Sequence, residues 1–136
     1  MRKDEGADGL ATVYIGGGTP SQLSASNIRR IFDGIDDVFS PDWGKMEITM
    51  ECNPEDITAD FCKALSLTPV NRVSMGAQTF SDERLRFLRR RHDAAQVAKA
   101  VKRLRTVGID NISIDLMFGF PGRYCRGNHD VCCAVD

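Results

Sequence analysis

The stretch VYIGGGTP, residues 13–20, joins a short apolar segment to three consecutive glycines, a threonine and a proline. β-Branched and aromatic residues in such a segment are typical of a buried strand, which we predict at residues 12–15. Glycine permits a sharp turn and leaves no Cβ between the backbone and a bound molecule. Pro20 ends a strand and is compatible with a helix soon afterwards. The stretch therefore predicts a strand whose carboxyl end opens onto an accessible, hydrogen-bonding backbone.

Length and composition indicate one ordinary globular domain. The chain has 136 residues, of which 42% are hydrophobic and 27% charged, and its formal net charge is −1. A charge so close to zero gives no electrostatic argument for nucleic acid or an anionic membrane as a partner. No apolar run approaches the roughly 20 residues that span a bilayer, and the N-terminus lacks a signal-peptide core. We therefore expect a cytoplasmic protein with no membrane span and no nucleic-acid partner.

Strand and helix patterns alternate along the chain after a polar lead-in at residues 1–10. Ser24 or Ser26 is a suitable N-cap for the first helix, and Thr58 and Ser81 are suitable for the second and third. The predicted strands lie at 12–15, 46–50, 72–77 and 111–116, and the predicted helices at about 24–39, 59–67, 81–89 and 94–107. This alternation predicts right-handed βαβ units, and hence an α/β fold with about four parallel strands and flanking helices.

Each predicted strand ends in residues unlike its interior. These residues are glycines or polar side chains: Gly17, Gly18, Thr19, Glu51, Asn53, Gln78 and Asp115. In parallel α/β proteins, ligands bind beyond the carboxyl ends of the strands, so we predict a ligand site on this edge. The residues alone leave alternatives open: the glycines as a tight connection, Glu51 as a loop acid, and Gln78 as a turn residue.

Asp115, Arg90 and His92, near the predicted strand ends, each have more than one interpretation. Asp115 lies between apolar residues of a strand expected to be buried on both faces, so its carboxylate needs partners such as ribose hydroxyls. Arg90 belongs to a run of three arginines, which favours a solvated helix end. Turned inward, it would bind a carboxylate as a bidentate fork. We interpret His92 as a packing or helix-end residue, because no second metal ligand lies at a suitable spacing.

The five cysteines do not indicate a disulfide framework, because their number is odd and the chain has a cytosolic composition. We interpret Cys52 and Cys62 as packed thiols. The remaining three lie in the last dozen residues, together with His129. A metal site formed by Cys125, His129, Cys132 and Cys133 is the alternative, but two adjacent cysteines suit a compact tetrahedral site poorly. We therefore predict no metal ligand in this chain.

Five motifs in this order resemble one known family. They are YIGGGTPS (14–21), ECNP (51–54), NRVSMGAQTF (71–80), LRRRH (88–92) and NISIDLMFGFPG (111–122). Together they resemble the radical S-adenosylmethionine (SAM) enzymes of the oxygen-independent coproporphyrinogen III oxidase family. The spacing Arg90-x-His92 looks more like the relatives regarded as heme chaperones than like the decarboxylating oxidases. The resemblance covers about residues 11–122.

The resemblance implies an open, partial TIM-like barrel with S-adenosylmethionine at its carboxyl edge. It implies that Gly17, Gly18 and Thr19 meet the methionine amino group, and that Gln78 and Asp115 bind ribose hydroxyls. It further implies that Arg90 holds the methionine carboxylate, and that Glu51 contacts the ligand and orients Arg90. In the full-length family it implies a [4Fe–4S] cluster as a second cofactor and a porphyrin or heme as partner.

The sequence departs from the family at both ends. The cluster motif Cys-x-x-x-Cys-x-x-Cys lies before the first strand in the family, and the five cysteines here show no such spacing. A [4Fe–4S] cluster needs thiolates, so we predict no catalytic residue and a fragment that is inactive alone. Its parent would be a radical SAM oxidoreductase or, alternatively, a heme-binding chaperone; a third alternative is an inactive truncated gene product. Residues 123–136 form an aberrant cysteine-rich tail, such as a frameshift would produce.

Overall fold

The computed structural model describes residues 10–119 and contains one four-stranded sheet in the order β1-β2-β3-β4. Every neighbouring pair of strands is parallel. The strands are β1 (Thr12–Ile15), β2 (Glu47–Cys52), β3 (Arg72–Gln78) and β4 (Asn111–Leu116). The predicted α/β class with four parallel strands and flanking helices is confirmed. Residues 1–9 of the predicted lead-in and the whole predicted tail at 123–136 lie outside the described residues.

Four helices connect or follow the strands: α1 (Ala25–Phe39), α2 (Ala59–Leu65), α3 (Asp82–Phe87) and α4 (Ala94–Thr106). Their N-caps are side chains that accept a hydrogen bond from the first turn: Ser24, Thr58, Ser81 and Asp93. The first three are the caps that the sequence predicts. Asp93 forms a full capping box with Gln96, which explains why α4 begins abruptly.

Predicted and observed bounds differ mainly at the carboxyl ends of elements. β1 and β4 have the predicted bounds, whereas β2 begins one residue later and ends two residues later than predicted. Helix α2 ends at Leu65 rather than at residue 67, because Thr68 N donates to the Leu65 carbonyl and closes a turn there. Leu67 is consequently 69% exposed.

One face of the sheet is apolar and covered by the helices. Successive side chains of a strand point to opposite faces, and the central strands bury every second side chain completely. The fully buried sheet residues on this face are Ile48, Met50, Val73, Met75 and Ala77. They form a single core cluster with helix residues that include Ile28, Leu65, Ala100 and Leu104. The core therefore lies between the sheet and its helices.

The opposite face of the sheet is polar. Thr49 in β2 is in register with Arg72 in β3, and Arg72 Nη1 donates to Thr49 Oγ1 at 3.2 Å. Nearer the carboxyl ends, Glu51 is in register with Ser74, and Ser74 Oγ donates to Asp115 Oδ2 at 2.9 Å. The expectation that Asp115 lies in a strand buried on both faces is wrong. β4 is the last strand in the sheet order, and Asp115 is exposed on the polar face.

Replacing Leu104 tests whether the core lies where the structure places it. Leu104 has no exposed surface, so Leu104→Ala leaves a cavity between α4 and the sheet and is expected to cost about 2–5 kcal/mol of unfolding free energy. Leu67→Ala is the matched control, because its side chain is mostly exposed; we expect a change within about 0.5 kcal/mol. Urea denaturation followed by circular dichroism measures both. Equal losses in the two variants would contradict this assignment of the core.

Candidate functional site

Glu51 ties the glycine turn after β1 to the end of β2. Its Oε1 accepts a hydrogen bond from the Tyr14 hydroxyl at 2.7 Å, and its Oε2 accepts from the Gly17 backbone N–H at 3.1 Å. Gly17 and Gly18 adopt φ values of 78° and 54°, which only glycine adopts without strain. A Cβ built on either residue would meet nothing within 4 Å. The Glu51 carboxylate therefore fixes the backbone of this turn, and the space beside Gly17 and Gly18 is free of atoms from the described residues.

Gly16 serves a different purpose from the two glycines that follow it. A Cβ at Gly16 would lie 2.6 Å from the Tyr14 ring and 2.9 Å from the Glu51 carboxyl carbon. The absence of a side chain at this position therefore makes room for the Tyr14–Glu51 hydrogen bond. The sequence identifies the glycine run, but it does not show which glycine supplies space and which supplies the turn.

Arg90 is turned inward, towards the ends of β2 and β3. Helix α3 ends before Arg89, which adopts a left-handed φ of 54°, and Arg90 N donates back to the Leu85 carbonyl at 2.9 Å. This is the closing bond of a helix C-terminal turn, and it reverses the chain direction. Arg90 Nη2 then donates to the Gly76 carbonyl at 2.9 Å and to Asn53 Oδ1 at 3.3 Å.

One buried donor of the Arg90 guanidinium is unpaired among the described residues. Its Nε is buried, and within residues 10–119 it finds no hydrogen-bond acceptor. Leaving a buried donor unpaired costs roughly 1–3 kcal/mol, and more for a charged group. A ligand oxygen placed at this point would remove that cost.

Gln78 lies beside Arg90, over Gly76. A Cβ on Gly76 would approach Gln78 Nε2 to 2.8 Å and Arg90 Nη2 to 3.2 Å, so both side chains cross the space that this glycine leaves. Gln78 has a left-handed φ of 67° at a register shift between β3 and β4. Its carbonyl accepts from Met117 N at 2.7 Å. Irregularities of this kind re-aim a side chain next to functional sites.

Tyr14, Ser74 and Asp115 lie together on the polar face of the sheet. The pKa of Tyr14 is raised above its ordinary value of 10, first because its hydroxyl donates to the Glu51 carboxylate. Partial desolvation and the negative charges of Glu51 and Asp115 raise it further. The hydrogen bonds of Tyr14 to Glu51 and of Ser74 to Asp115, with Glu51 and Ser74 in register, place these side chains on one face of the sheet.

The predicted site residues form two groups in the structure. The first group contains Gly17 and Glu51, and Asp115 joins it through Ser74 and Tyr14. The second group contains Gln78 and Arg90. Thr19 precedes the short 3-10 turn Pro20–Gln22, where its backbone carbonyl accepts from Gln22 N and its hydroxyl makes no cap bond.

The resemblance implies that Glu51 orients Arg90, but the described contacts assign that position to another residue. Asn53 and the Gly76 carbonyl hold Arg90, whereas Glu51 holds Tyr14 and Gly17. Asn53 was noted in the sequence only as a polar strand end. The sequence pattern does not single out Tyr14 or Ser74 as site residues, although their alternation with apolar neighbours on β1 and β3 is a signal that they share the polar face.

Within residues 10–119, no group of three or more His, Cys, Asp or Glu side chains is arranged to hold a metal ion. Cys52 and Cys62 are both buried, which confirms them as packed thiols, and burial raises the pKa of Cys52 to about 12. The alternative metal set of Cys125, His129, Cys132 and Cys133 lies outside the described residues. Among the described helices, none has the length and apolar character to cross a membrane.

Comparison with known proteins identifies the family. Residues 2–124 match the radical SAM superfamily. The chain belongs to this superfamily. Among curated radical SAM relatives, it is 42% identical over 118 residues to the heme chaperone HemW of Bacillus subtilis. It is 41% identical over 114 residues to the heme chaperone HemW of Lactococcus lactis. These alignments cover 87% and 84% of this chain, but only 31% and 30% of the two relatives.

A solved radical SAM structure has the same arrangement of strands and helices. The coproporphyrinogen III oxidase HemN of Escherichia coli superposes with a TM-score of 0.76 at 30% identity, over 84% of this chain and 26% of that chain. The predicted fold, an open and partial TIM-like radical SAM barrel, is confirmed. The radical SAM chain described here thus spans less than a third of the length of the relatives it matches.

Titrating Tyr14 tests the Tyr14–Glu51 hydrogen bond. The chain has two tyrosines, so Tyr124→Phe leaves Tyr14 as the only phenol. Because the bond to a carboxylate stabilises the protonated phenol, we expect a midpoint above 10 by absorbance at 295 nm. Glu51→Gln removes the charge and is expected to lower that midpoint. Glu47→Gln, on the same face of β2, is the control and should leave it unchanged; a midpoint insensitive to Glu51→Gln would contradict the contact.

Proposed function

We propose that this chain forms part of an S-adenosylmethionine pocket in a radical SAM protein related to the heme chaperones. The main support for this proposal is the environment of the Arg90 guanidinium. Gly76 and Asn53 anchor one end of its guanidinium, and its buried Nε has no acceptor within the described residues. A carboxylate satisfies a guanidinium with short, charge-assisted hydrogen bonds. The methionine carboxylate of S-adenosylmethionine is a ligand group of this chemistry.

The remaining site residues suit the rest of the same ligand. Gln78 offers a neutral amide and Asp115 an exposed carboxylate, and both can bond ribose hydroxyls. The open side of the turn at Gly17 and Gly18, followed by Thr19, gives room for the methionine amino group. The Glu51 carboxylate beside this turn provides negative charge near that ammonium. The site thus offers hydrogen-bond acceptors for hydroxyls and an ammonium group, and one cationic side chain for a carboxylate. An amino-acid nucleoside contains all three of these ligand groups.

The curated relatives favour a heme chaperone over an oxidase as the activity of the whole protein. The relatives above 40% identity are named heme chaperones, whereas the coproporphyrinogen III oxidase of known structure is 30% identical. We accordingly propose heme or a porphyrin as a partner and the cytoplasm as the location. A porphyrin oxidoreductase is the alternative, and an inactive truncated gene product is a further one.

Two nucleosides that differ in the methionine end test the pocket. By isothermal titration calorimetry, the wild-type chain is expected to bind both S-adenosylmethionine and 5′-methylthioadenosine, which lacks the amino-acid carboxylate. Arg90→Ala should weaken S-adenosylmethionine by about 10- to 100-fold, the value of a charged hydrogen bond of roughly 1.5–3 kcal/mol. It should leave 5′-methylthioadenosine unchanged. Asp115→Asn should weaken both ligands, because both contain the ribose.

Arg105→Ala is the matched control for this experiment, because Arg105 is an exposed arginine in the last turn of α4. We expect it to bind both nucleosides like the wild-type chain. Absence of S-adenosylmethionine binding by the wild-type chain, or an equal loss of both ligands in Arg90→Ala, would contradict the proposed pocket.

A hemin titration and an activity assay with coproporphyrinogen III together separate the chaperone assignment from the oxidase assignment. A heme-binding protein is expected to give a saturable shift of the Soret band, and no decarboxylated product from coproporphyrinogen III. Product formation would favour the oxidase. Absence of both results would favour the truncated gene product.

A further inference from the structure

His92 is a deeply buried ionisable residue at the carboxyl edge of the sheet. Its side chain has no exposed surface. One ring nitrogen, Nε2, lies 3.1 Å from the Ala77 carbonyl at the end of β3. The other, Nδ1, lies 3.0 Å from Glu55 Oε2 in the short 3-10 turn Pro54–Asp56 after β2. The imidazole thus connects two neighbouring strand ends, which goes further than the packing role predicted for it from the sequence.

The two partners of His92 define where its protons must be. A carbonyl oxygen only accepts, so Nε2 carries a proton and donates to Ala77. Nδ1 faces a carboxylate oxygen, and a hydrogen bond between the two requires a proton on Nδ1 or on Glu55 Oε2. A charge-assisted hydrogen bond of this kind is stronger than a neutral one when it is shielded from water. His92 and Glu55 therefore act as one rigid unit.

The loop around Glu55 is held at further points. Arg91 Nε lies 3.4 Å from Glu55 Oε1, and Arg91 Nη2 lies 3.7 Å from Asp56 Oδ1. Asp56 Oδ2 accepts from the Ser21 hydroxyl at 2.7 Å, and the Ser21 oxygen accepts from Asn53 N at 3.2 Å. These contacts join the segments that follow β1, β2 and β3 into one polar network.

This network determines the position of Arg90. Arg90 lies two residues before His92, and its guanidinium contacts Asn53, which lies two residues before Glu55. His92 and Glu55 thus fix both the segment that carries Arg90 and the segment that carries its partner Asn53. On the other side, the Arg90 N–H is bonded to the Leu85 carbonyl. The backbone of Arg90 is therefore held on both sides, and its guanidinium is presented to the pocket in one place.

We propose that His92, paired with Glu55, is a positioning residue that places the Arg90 guanidinium for the carboxylate of an amino-acid nucleoside. This inference rests on the proposed function. It states that discrimination between nucleosides with and without a carboxylate depends on two residues that do not touch the ligand.

Comparing the same two nucleosides tests this role. His92→Gln and Glu55→Gln are each expected to weaken S-adenosylmethionine by about tenfold in calorimetry, the effect of one lost charged hydrogen bond. Both should leave the dissociation constant of 5′-methylthioadenosine unchanged. A purely structural role for His92 would weaken both nucleosides alike, and that result would overturn the positioning role. Unchanged affinity for S-adenosylmethionine in both variants would overturn it as well.

A control variant and a second test variant make these outcomes distinct. Arg86→Ala, an exposed arginine of α3, should bind both nucleosides like the wild-type chain. Glu55→Gln keeps the shape of the side chain, so it provides the answer if His92→Gln fails to fold. If the wild-type chain binds neither nucleoside, the proposed function itself fails, and the positioning role fails with it. If the wild type binds both nucleosides and the variants keep the same ratio of the two affinities, the positioning role fails while the proposed function stands.

A spectroscopic measurement reports on the pair without any ligand. The chain has two histidines, so His129→Gln leaves His92 as the only imidazole in a long-range proton–nitrogen NMR spectrum. We expect Glu55→Gln to shift the Nδ1 resonance of His92 and to leave the Nε2 resonance, which reports on the Ala77 carbonyl, nearly unchanged. An Nδ1 resonance insensitive to Glu55→Gln would overturn the pairing.

Discussion

Burial of one face of β2 and β3 under the helices is the constraint on which the rest of the structure depends. Ile48, Met50, Val73 and Met75 have no exposed surface. Because side chains alternate along a strand, fixing these four to the helix side places Glu51 and Ser74 on the opposite side. A shift of either strand by one residue would exchange the two sets. The apolar core therefore sets the register of the polar residues at the candidate site.

Beyond the strand ends, side-chain hydrogen bonds rather than apolar packing determine the arrangement. Glu51 holds the turn after β1, Asn53 holds Arg90, and Glu55 holds His92. All three residues come from the short segment that ends β2, at alternate positions. This segment contacts both neighbouring strand ends, which makes it the centre of the carboxyl edge. Its polar residues explain why a site can form on a sheet whose core is otherwise apolar.

The sequence predicts the elements well where the signal is local. The glycine run ends β1 as expected, the caps at Ser24, Thr58 and Ser81 are used, and β4 has its predicted bounds. These features depend on neighbouring residues in the chain, so propensity and capping chemistry are sufficient to find them.

Interactions between distant residues could not be predicted in the same way. The run of three arginines that contains Arg90 predicts a solvated helix end. Arg90 turns inward because Arg89 adopts a left-handed conformation that is uncommon for arginine. Its partner Asn53 is 37 residues away, and no local pattern connects the two. The role of Asp115 on an exposed, polar face also depends on where β4 lies in the sheet, which a single strand does not reveal. The roles of individual site residues thus require the tertiary structure.

The glycines at the carboxyl edge impose two unlike limits on chemical redesign of the chain. Gly17 and Gly18 are restricted by backbone angle alone, since a Cβ there meets open space. An L side chain at either position would therefore be strained by its backbone angle and not by a clash with neighbouring atoms. Gly16 and Gly76 are restricted by neighbouring atoms instead, and a Cβ at these positions would have to displace Glu51 or Gln78. The same residue type thus meets two different needs at this edge: a left-handed backbone angle at two positions and empty space at the other two.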